Sequence, residues 1–169
     1  VQGRDATAVL NRISSNNIDV AIGRVVYTQW LNERGGIEAD LTVTRLAENA
    51  YMVVSTAATL TRDRAWLARH IPQEAFVTVS DVSSAWAVLA VMGPNARSLL
   101  QSLTRDDLSN DAFRFATARE IGIGYARVRA ARISYVGELG WELYIPTEFA
   151  PDVYDRIVAA GTAHGLRHC

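Results

Sequence analysis

Val91-Met92-Gly93-Pro94-Asn95-Ala96-Arg97-Ser98-Leu99-Leu100-Gln101-Ser102-Leu103 lines up with the opening of the chain, Val1-Gln2-Gly3-Arg4-Asp5-Ala6-Thr7-Ala8-Val9-Leu10-Asn11-Arg12-Ile13. Both stretches read as a glycine turn leading into a helix, and Pro94 suits the first helical turn of the second copy. Strand-like runs follow each copy, at 20–32, 37–46 and 50–55 in the first half and at 113–117, 121–136 and 141–145 in the second. A helix over 62–70 and apolar runs at 76–79 and 86–91 lie between them. A final helix over 149–160 is expected to bury Val153, Tyr154, Ile157 and Val158. This repetition is too short-range for a solenoid. It predicts an α+β fold of two pseudo-equivalent lobes, about 1–75 and 76–169, with mainly antiparallel sheets and flanking helices.

Each lobe offers one hairpin with polar residues in unusual places. In Ile133-Ser134-Tyr135-Val136-Gly137-Glu138-Leu139-Gly140-Trp141-Glu142-Leu143-Tyr144-Ile145, two aromatic-rich runs flank a segment with glycine at both ends. With residues 137–140 as the loop, Val136 pairs with Trp141, and Tyr135 lies opposite Glu142 on the same face of the sheet. In the first lobe Glu33-Arg34-Gly35-Gly36 forms the turn. Val26, Trp30, Ile37, Ala39, Leu41 and Val43 then make a core face, and Tyr27, Gln29, Glu38, Asp40 and Thr42 line the other. On that second face Gln29 falls opposite Asp40 and Tyr27 opposite Thr42. Aspartate is poorly suited to a strand interior. The plain reading of Asp40 is a solvent-facing residue of a sheet with one wet side. The plain reading of Tyr135 and Glu142 is a hydrogen-bonded pair at a sheet margin.

Composition narrows the chemistry. The 169 residues are 49% hydrophobic and 21% charged, with a net charge of −1, which gives no general pull on nucleic acid or acidic membranes. No apolar run reaches the length of a membrane span and no secretory signal opens the chain. All 17 basic residues are arginine, which excludes a lysine Schiff base, a lysine general base and a P-loop lysine. Cys169 is the single cysteine, so no internal disulfide forms, and a reducing compartment is expected. His70, His164 and His168 lack metal-ligand spacing and read as helix-end or surface residues. Arg127 and Arg129 alternate with small apolar residues as the solvated side of a strand; they do not form a nucleic-acid platform. Gly122-Ile123-Gly124 opens no helix and so fails as a dinucleotide fingerprint, and no serine sits in Gly-x-Ser-x-Gly.

The two hairpin motifs, Asn32-Glu33-Arg34-Gly35-Gly36-Ile37-Glu38-Ala39-Asp40-Leu41-Thr42-Val43 and Arg132-Ile133-Ser134-Tyr135-Val136-Gly137-Glu138-Leu139-Gly140-Trp141-Glu142-Leu143-Tyr144, resemble those of the folate-binding aminomethyltransferases, typified by the glycine cleavage T-protein. The likeness covers nearly the whole chain. The Gly-Glu-Leu-Gly-Trp-Glu wording favours the tetrahydrofolate-binding domain of dimethylglycine and sarcosine dehydrogenases.

That resemblance implies one-carbon transfer from an iminium, derived from a small N-methylated amine, to tetrahydrofolate. It gives Glu142 to the amino-pyrimidine edge of the pterin, Tyr135 to the same pocket, and Asp40 to the reactive folate nitrogens as the catalytic carboxylate. Tyr27 is implied as an aromatic contact and Thr42 as a further folate-binding residue. Thr56 stands where the family often carries a pterin-binding asparagine. The resemblance also implies flanking domains of the same polypeptide: a C-terminal lobe with a further folate-contacting arginine, and an upstream domain holding FAD. A cytoplasmic location follows, or the mitochondrial matrix in a eukaryote. A start at Val1 without methionine and the ending at Gly165-Leu166-Arg167-His168-Cys169 read as an excised piece. Two alternatives stay open: T-protein itself, which takes its carbon from a lipoyl-carried intermediate, and a non-catalytic folate-binding regulatory relative.

Overall fold

Apolar and polar residues alternate along β1 (Val25–Leu31) and β2 (Ile37–Ala47), and these strands pair antiparallel in the register that the alternation predicts, Gln29 opposite Asp40 and Tyr27 opposite Thr42. The turn that sets this register is built by Asn32. Its side-chain oxygen accepts the N–H groups of Arg34 and Gly36 at 3.0 and 2.9 Å, and its amide donates to Glu38 at 2.9 Å. Gly35 supplies the positive φ of 77° that the turn needs. A bulge between Trp30 and Leu31 carries the hairpin end away from the core, so Ile37, expected on the core face, is exposed.

The computed structural model describes every residue from Val1 to Cys169, in two units, Val1–Ser80 and Asp81–Cys169. In the first, β3 (Ala50–Val54) completes a three-stranded sheet in the order β1-β2-β3. Helices α1 (Ala6–Ile13) and α2 (Leu60–His70) share a core with one face of that sheet, where Trp30 and Trp66 stack with centroids 5.3 Å apart. In the second unit, β4 (Trp86–Met92), β5 (Ala118–Ile123), β6 (Ala126–Ala131) and β7 (Gly140–Pro146) form an antiparallel sheet in the order β4-β7-β6-β5. Its core is shared with α3 (Ala96–Gln101) and α4 (Ala150–Gly161). No helix is long and apolar enough to cross a membrane.

Trp141 is the centre of this second core, fully buried and edge-on to Phe113 at 6.0 Å, with the guanidinium groups of Arg97 and Arg132 5.7 and 5.6 Å from its ring. Its indole N–H has no acceptor. That orphan donor costs about 1–3 kcal/mol, against roughly 4–6 kcal/mol gained by burying a ring of this size. Burial wins.

The α+β class with antiparallel sheets and flanking helices is as the sequence indicates, and the repeat extends further than the opening motif. Gly3 and Gly93 both have positive φ, 137° and 122°, and each accepts a helix-starting N–H, from Ala6 and Ala96, at 3.0 Å. The N–H of Gly3 reaches Asn49 O and that of Gly93 reaches Leu139 O, in each case just before the strand that precedes the second helix. Gln2 faces Ala50 as Met92 faces Gly140. Short 3₁₀ turns, Ala57–Thr59 and Thr147–Phe149, then lead into α2 and α4 at the same offset. By register, Tyr51 corresponds to Trp141, Met52 to Glu142 and Val54 to Tyr144. Asp40 corresponds to Arg127 and Thr42 to Arg129.

Several expectations need correction. Residues 113–117 are no strand: Thr117 Oγ1 bonds Arg114 O at 2.6 Å and Ala116 turns at φ 57°. The run 121–136 is not continuous, because Gly124, at φ 57°, makes the β5–β6 turn with Tyr125. On α4 the buried stripe is Val153, Ile157 and Gly161, one residue every helical turn, and Tyr154 is exposed with its ring tilted against His168.

The link from α3 to β5 is tied by Asp106, whose Oδ2 accepts the Gly122 N–H at 2.8 Å and the Thr104 hydroxyl at 3.1 Å. The Gly122 N–H, then the Thr104 hydroxyl and the charges of Arg119 and Arg127, hold this carboxyl below its usual range. A depressed folded pKa adds stability above the unfolded value near 4, and that stability is lost as pH falls through the folded value. Asp106→Asn is therefore expected to cost about 1 kcal/mol at neutral pH. Denaturant melts at pH 7 and pH 3 check it: the gap between variant and wild type should narrow at the lower pH.

Candidate functional site

On the first sheet, the face turned away from the helices carries a ladder of rows: Gln29 with Asp40; Tyr27 with Thr42 and Val54; Val25 with Thr44 and Met52. Asp40 is exposed in mid-strand, and the Gln29 amide donates to its Oδ1 at 2.9 Å. One carboxylate oxygen is thus fixed and the other is left for a further donor or proton. Tyr27 keeps 60% of its surface exposed beside half-buried Thr42. Arg62 of α2 donates to the Glu38 carbonyl, closing the outer end of β2. The expected first-lobe residues Tyr27, Asp40 and Thr42 therefore lie on one face. Thr56 lies just beyond β3, exposed, its carbonyl accepting the Thr59 N–H and hydroxyl, both at 3.0 Å.

On the second sheet, the corresponding face carries Glu142, and its cross-strand neighbours are Ala90 on β4 and Ala131 on β6. Two residues on along β7, hence on the same face, Tyr144 is 4% exposed and donates its hydroxyl to Glu142 Oε2 at 2.6 Å. Burial, then the adjacent carboxylate, push the Tyr144 phenol far above its ordinary pKa, so it stays a donor. Next along, Arg129 faces Tyr144, lies 5.3 Å from the Trp86 ring and, with Arg127, pairs with Glu120 at 3.6 and 3.5 Å. The half-buried Glu142 has small residues on both flanks and one oxygen, Oε1, with lone pairs to spare. A planar group presenting adjacent N–H donors matches that edge.

Tyr135 is not opposite Glu142, and Val136 is not opposite Trp141. β6 ends at Ala131, which itself faces Glu142, and residues 132–139 form a loop in which Tyr135 is 95% exposed. Arg132 diverts the chain: its N–H bonds Thr117 O at 2.8 Å, and its guanidinium bonds Phe113 O at 2.6 Å and Asn110 at 2.7 Å. Tyr144, the partner Glu142 does have, was not singled out from sequence, although its spacing of two along a strand was the available signal. Of the histidines, His70 ends α2 with its ring stacked on Trp66 at 3.8 Å.

Residues 1–169 match the GCVT N-terminal domain family over their whole length. The chain is 38% identical over 167 residues to 4-methylaminobutanoate oxidase (formaldehyde-forming) of Paenarthrobacter nicotinovorans, covering 99% of this chain and 20% of that protein. It is 35% identical over 167 residues to mitochondrial dimethylglycine dehydrogenase of Mus musculus, covering 98% and 19% respectively. The chain thus spans about a fifth of the length of these relatives. The crystal structure of glycine cleavage system aminomethyltransferase T from Bartonella henselae superimposes with a TM-score of 0.77 at 26% identity, over 93% of this chain and 41% of that one.

Proposed function

The chain belongs to the GCVT N-terminal domain family, and from that membership we propose that residues 1–169 are the tetrahydrofolate-binding domain of a larger demethylating oxidoreductase resembling dimethylglycine and sarcosine dehydrogenases. The observation that carries this reading is Glu142: a carboxylate flanked by alanines, with Oε1 unengaged and a second lone pair left on the Oε2 that Tyr144 fixes. The amino group and ring N–H of a pterin are coplanar donors of the kind such a carboxylate accepts in pairs. Tyr27, Thr42, Thr56 and Tyr135 are assigned as further folate contacts. For Tyr135 this requires the exposed 132–139 loop to bring its ring to the ligand.

In this reading Asp40 is the catalytic carboxylate. Attack of a folate nitrogen on an iminium carbon forms the new N–C bond and sends the iminium π electrons to the amine nitrogen. It leaves a proton on the attacking nitrogen, and Asp40, with Oδ2 unengaged, accepts it. The carbon–amine bond then breaks, the amine leaving with a proton, and the second folate nitrogen bonds the same carbon and loses its own proton, which gives the methylene bridge. Flavin chemistry is assigned to flanking domains of the same polypeptide. Gly122-Ile123-Gly124 lies in the β5–β6 hairpin and opens no helix, so it offers a dinucleotide phosphate nothing. The compartment proposed is the cytoplasm, or the mitochondrial matrix in a eukaryote.

Calorimetric titration of the full-length protein with tetrahydrofolate tests the assignment. Glu142→Ala should weaken binding by roughly 10- to 100-fold, as expected for losing a charged, two-point hydrogen-bond partner. Unchanged affinity would sink the site. The second reading, an aminomethyltransferase like the Bartonella henselae protein to which the fold is similar, needs a lipoyl-borne donor. Oxidation of an N-methylated glycine by the full-length protein, coupled to methylenetetrahydrofolate formation, rules against it.

A further inference from the structure

We infer that Tyr144 is a positioning residue for the Glu142 carboxylate and, through it, sets the preference for ligands with an amino-pyrimidine edge; this rests on the reading that Glu142 meets that edge. The contact is short, 2.6 Å, and runs from a hydroxyl buried on the same face of β7, two residues away. The side chains in register with Glu142 across both neighbouring strands are Ala90 and Ala131, and neither can hold a carboxylate. Along β7 the preceding residue on this face is Gly140, which has no side chain. Orientation of the carboxylate therefore falls to Tyr144.

The repeat shows that the fold itself does not require the pair. At the corresponding places in the first unit stand Met52 and Val54, on a strand whose register with β2 matches that of β7 with β6. A buried tyrosine hydroxyl needs an acceptor, and neither residue of the first repeat carries a hydroxyl. Fixing Oε2 from one side has a geometric consequence. It holds the carboxylate plane at one setting and keeps Oε1 and the remaining lone pair of Oε2 presented, so that a ligand with two adjacent in-plane donors is met without first ordering the side chain. A ligand with only one donor gains much less from that setting.

The test is a titration of the full-length protein with tetrahydrofolate and with its 2-desamino analogue, using the wild type, Tyr144→Phe, Glu142→Gln and the double variant. Tyr144→Phe is expected to weaken tetrahydrofolate binding on the order of tenfold and to leave the 2-desamino analogue nearly unaffected. On the Glu142→Gln background the same change should add little, as for residues that act as one unit. Tyr144→Val, which installs the residue type of the first repeat, is the second variant should the phenylalanine fail to fold, with the same expectation. Equal loss for both ligands means a merely structural role and overturns the inference, as does an unchanged tetrahydrofolate affinity. Absence of tetrahydrofolate binding by the wild type overturns the folate reading and takes this inference with it. Wild-type binding with an indifferent Tyr144→Phe overturns the inference alone.

Discussion

Asp40→Ala is expected to slow methylene transfer to tetrahydrofolate by about 100-fold or more, the size of effect that a positioned proton acceptor supplies. The amine-oxidising step should stay near its wild-type rate, because the flavin chemistry is assigned elsewhere in the polypeptide. An iminium that is not captured by folate reacts with water, giving formaldehyde and the demethylated amine. The product ratio is therefore the readout: methylenetetrahydrofolate falls and formaldehyde rises at constant amine consumption. Asp40→Asn separates charge from geometry, since an asparagine oxygen still accepts from Gln29, which now donates to Asp40 at 2.9 Å, but takes up no proton. It should behave like the alanine variant. If either variant transfers methylene at the wild-type rate, Asp40 is only the solvent-facing strand residue that its exposure also permits.

How much of this was legible in the sequence depends on how local the determining contacts are. The β1–β2 register was readable because Asn32, Gly35 and Gly36 build the turn from within it, and strict alternation does the rest. Tyr27, Asp40 and Thr42 therefore fall where the pattern puts them. The second hairpin departs from its sequence pattern because its register is set from a distance. Arg132 is drawn off the strand by Asn110, Phe113 and Thr117, and Leu139 is held by the Gly93 N–H. Nothing between Ile133 and Ile145 encodes those anchors, so the glycines at 137 and 140 mimic a tight turn while the actual connection is a longer loop. The β5–β6 turn was different, because Gly124 inside a strand-like run was a readable interruption. The Glu142–Tyr144 pair is also local, since both residues are on one strand face, two apart.

The two repeat glycines should respond very differently to alanine, although sequence alone makes them equivalent. Both have positive φ, 137° at Gly3 and 122° at Gly93, so either substitution carries backbone strain of about 1–3 kcal/mol. Their surroundings differ. A Cβ on Gly3 would lie 2.0 Å from Phe76 O and 2.9 Å from its carbonyl carbon, both backbone atoms that cannot swing away. A Cβ on Gly93 would meet nothing closer than a Glu138 carboxylate oxygen at 3.8 Å. Relief at Gly3 requires moving the 76–78 segment, and that breaks the bonds tying Gln2 to Thr78, at 2.9 and 2.7 Å, and the 2.8 Å bond from the Phe76 N–H to Asp5. Gly3→Ala is thus expected to cost at least about 4 kcal/mol, and Gly93→Ala about 1–2 kcal/mol. Native-state amide exchange reads the units separately: protection at Leu10 should collapse in the first variant while Leu100 is nearly unchanged, and the second variant should lower Leu100 only modestly. Similar losses in the two variants would mean that φ strain alone governs both positions and that the Phe76 contact is easily relieved.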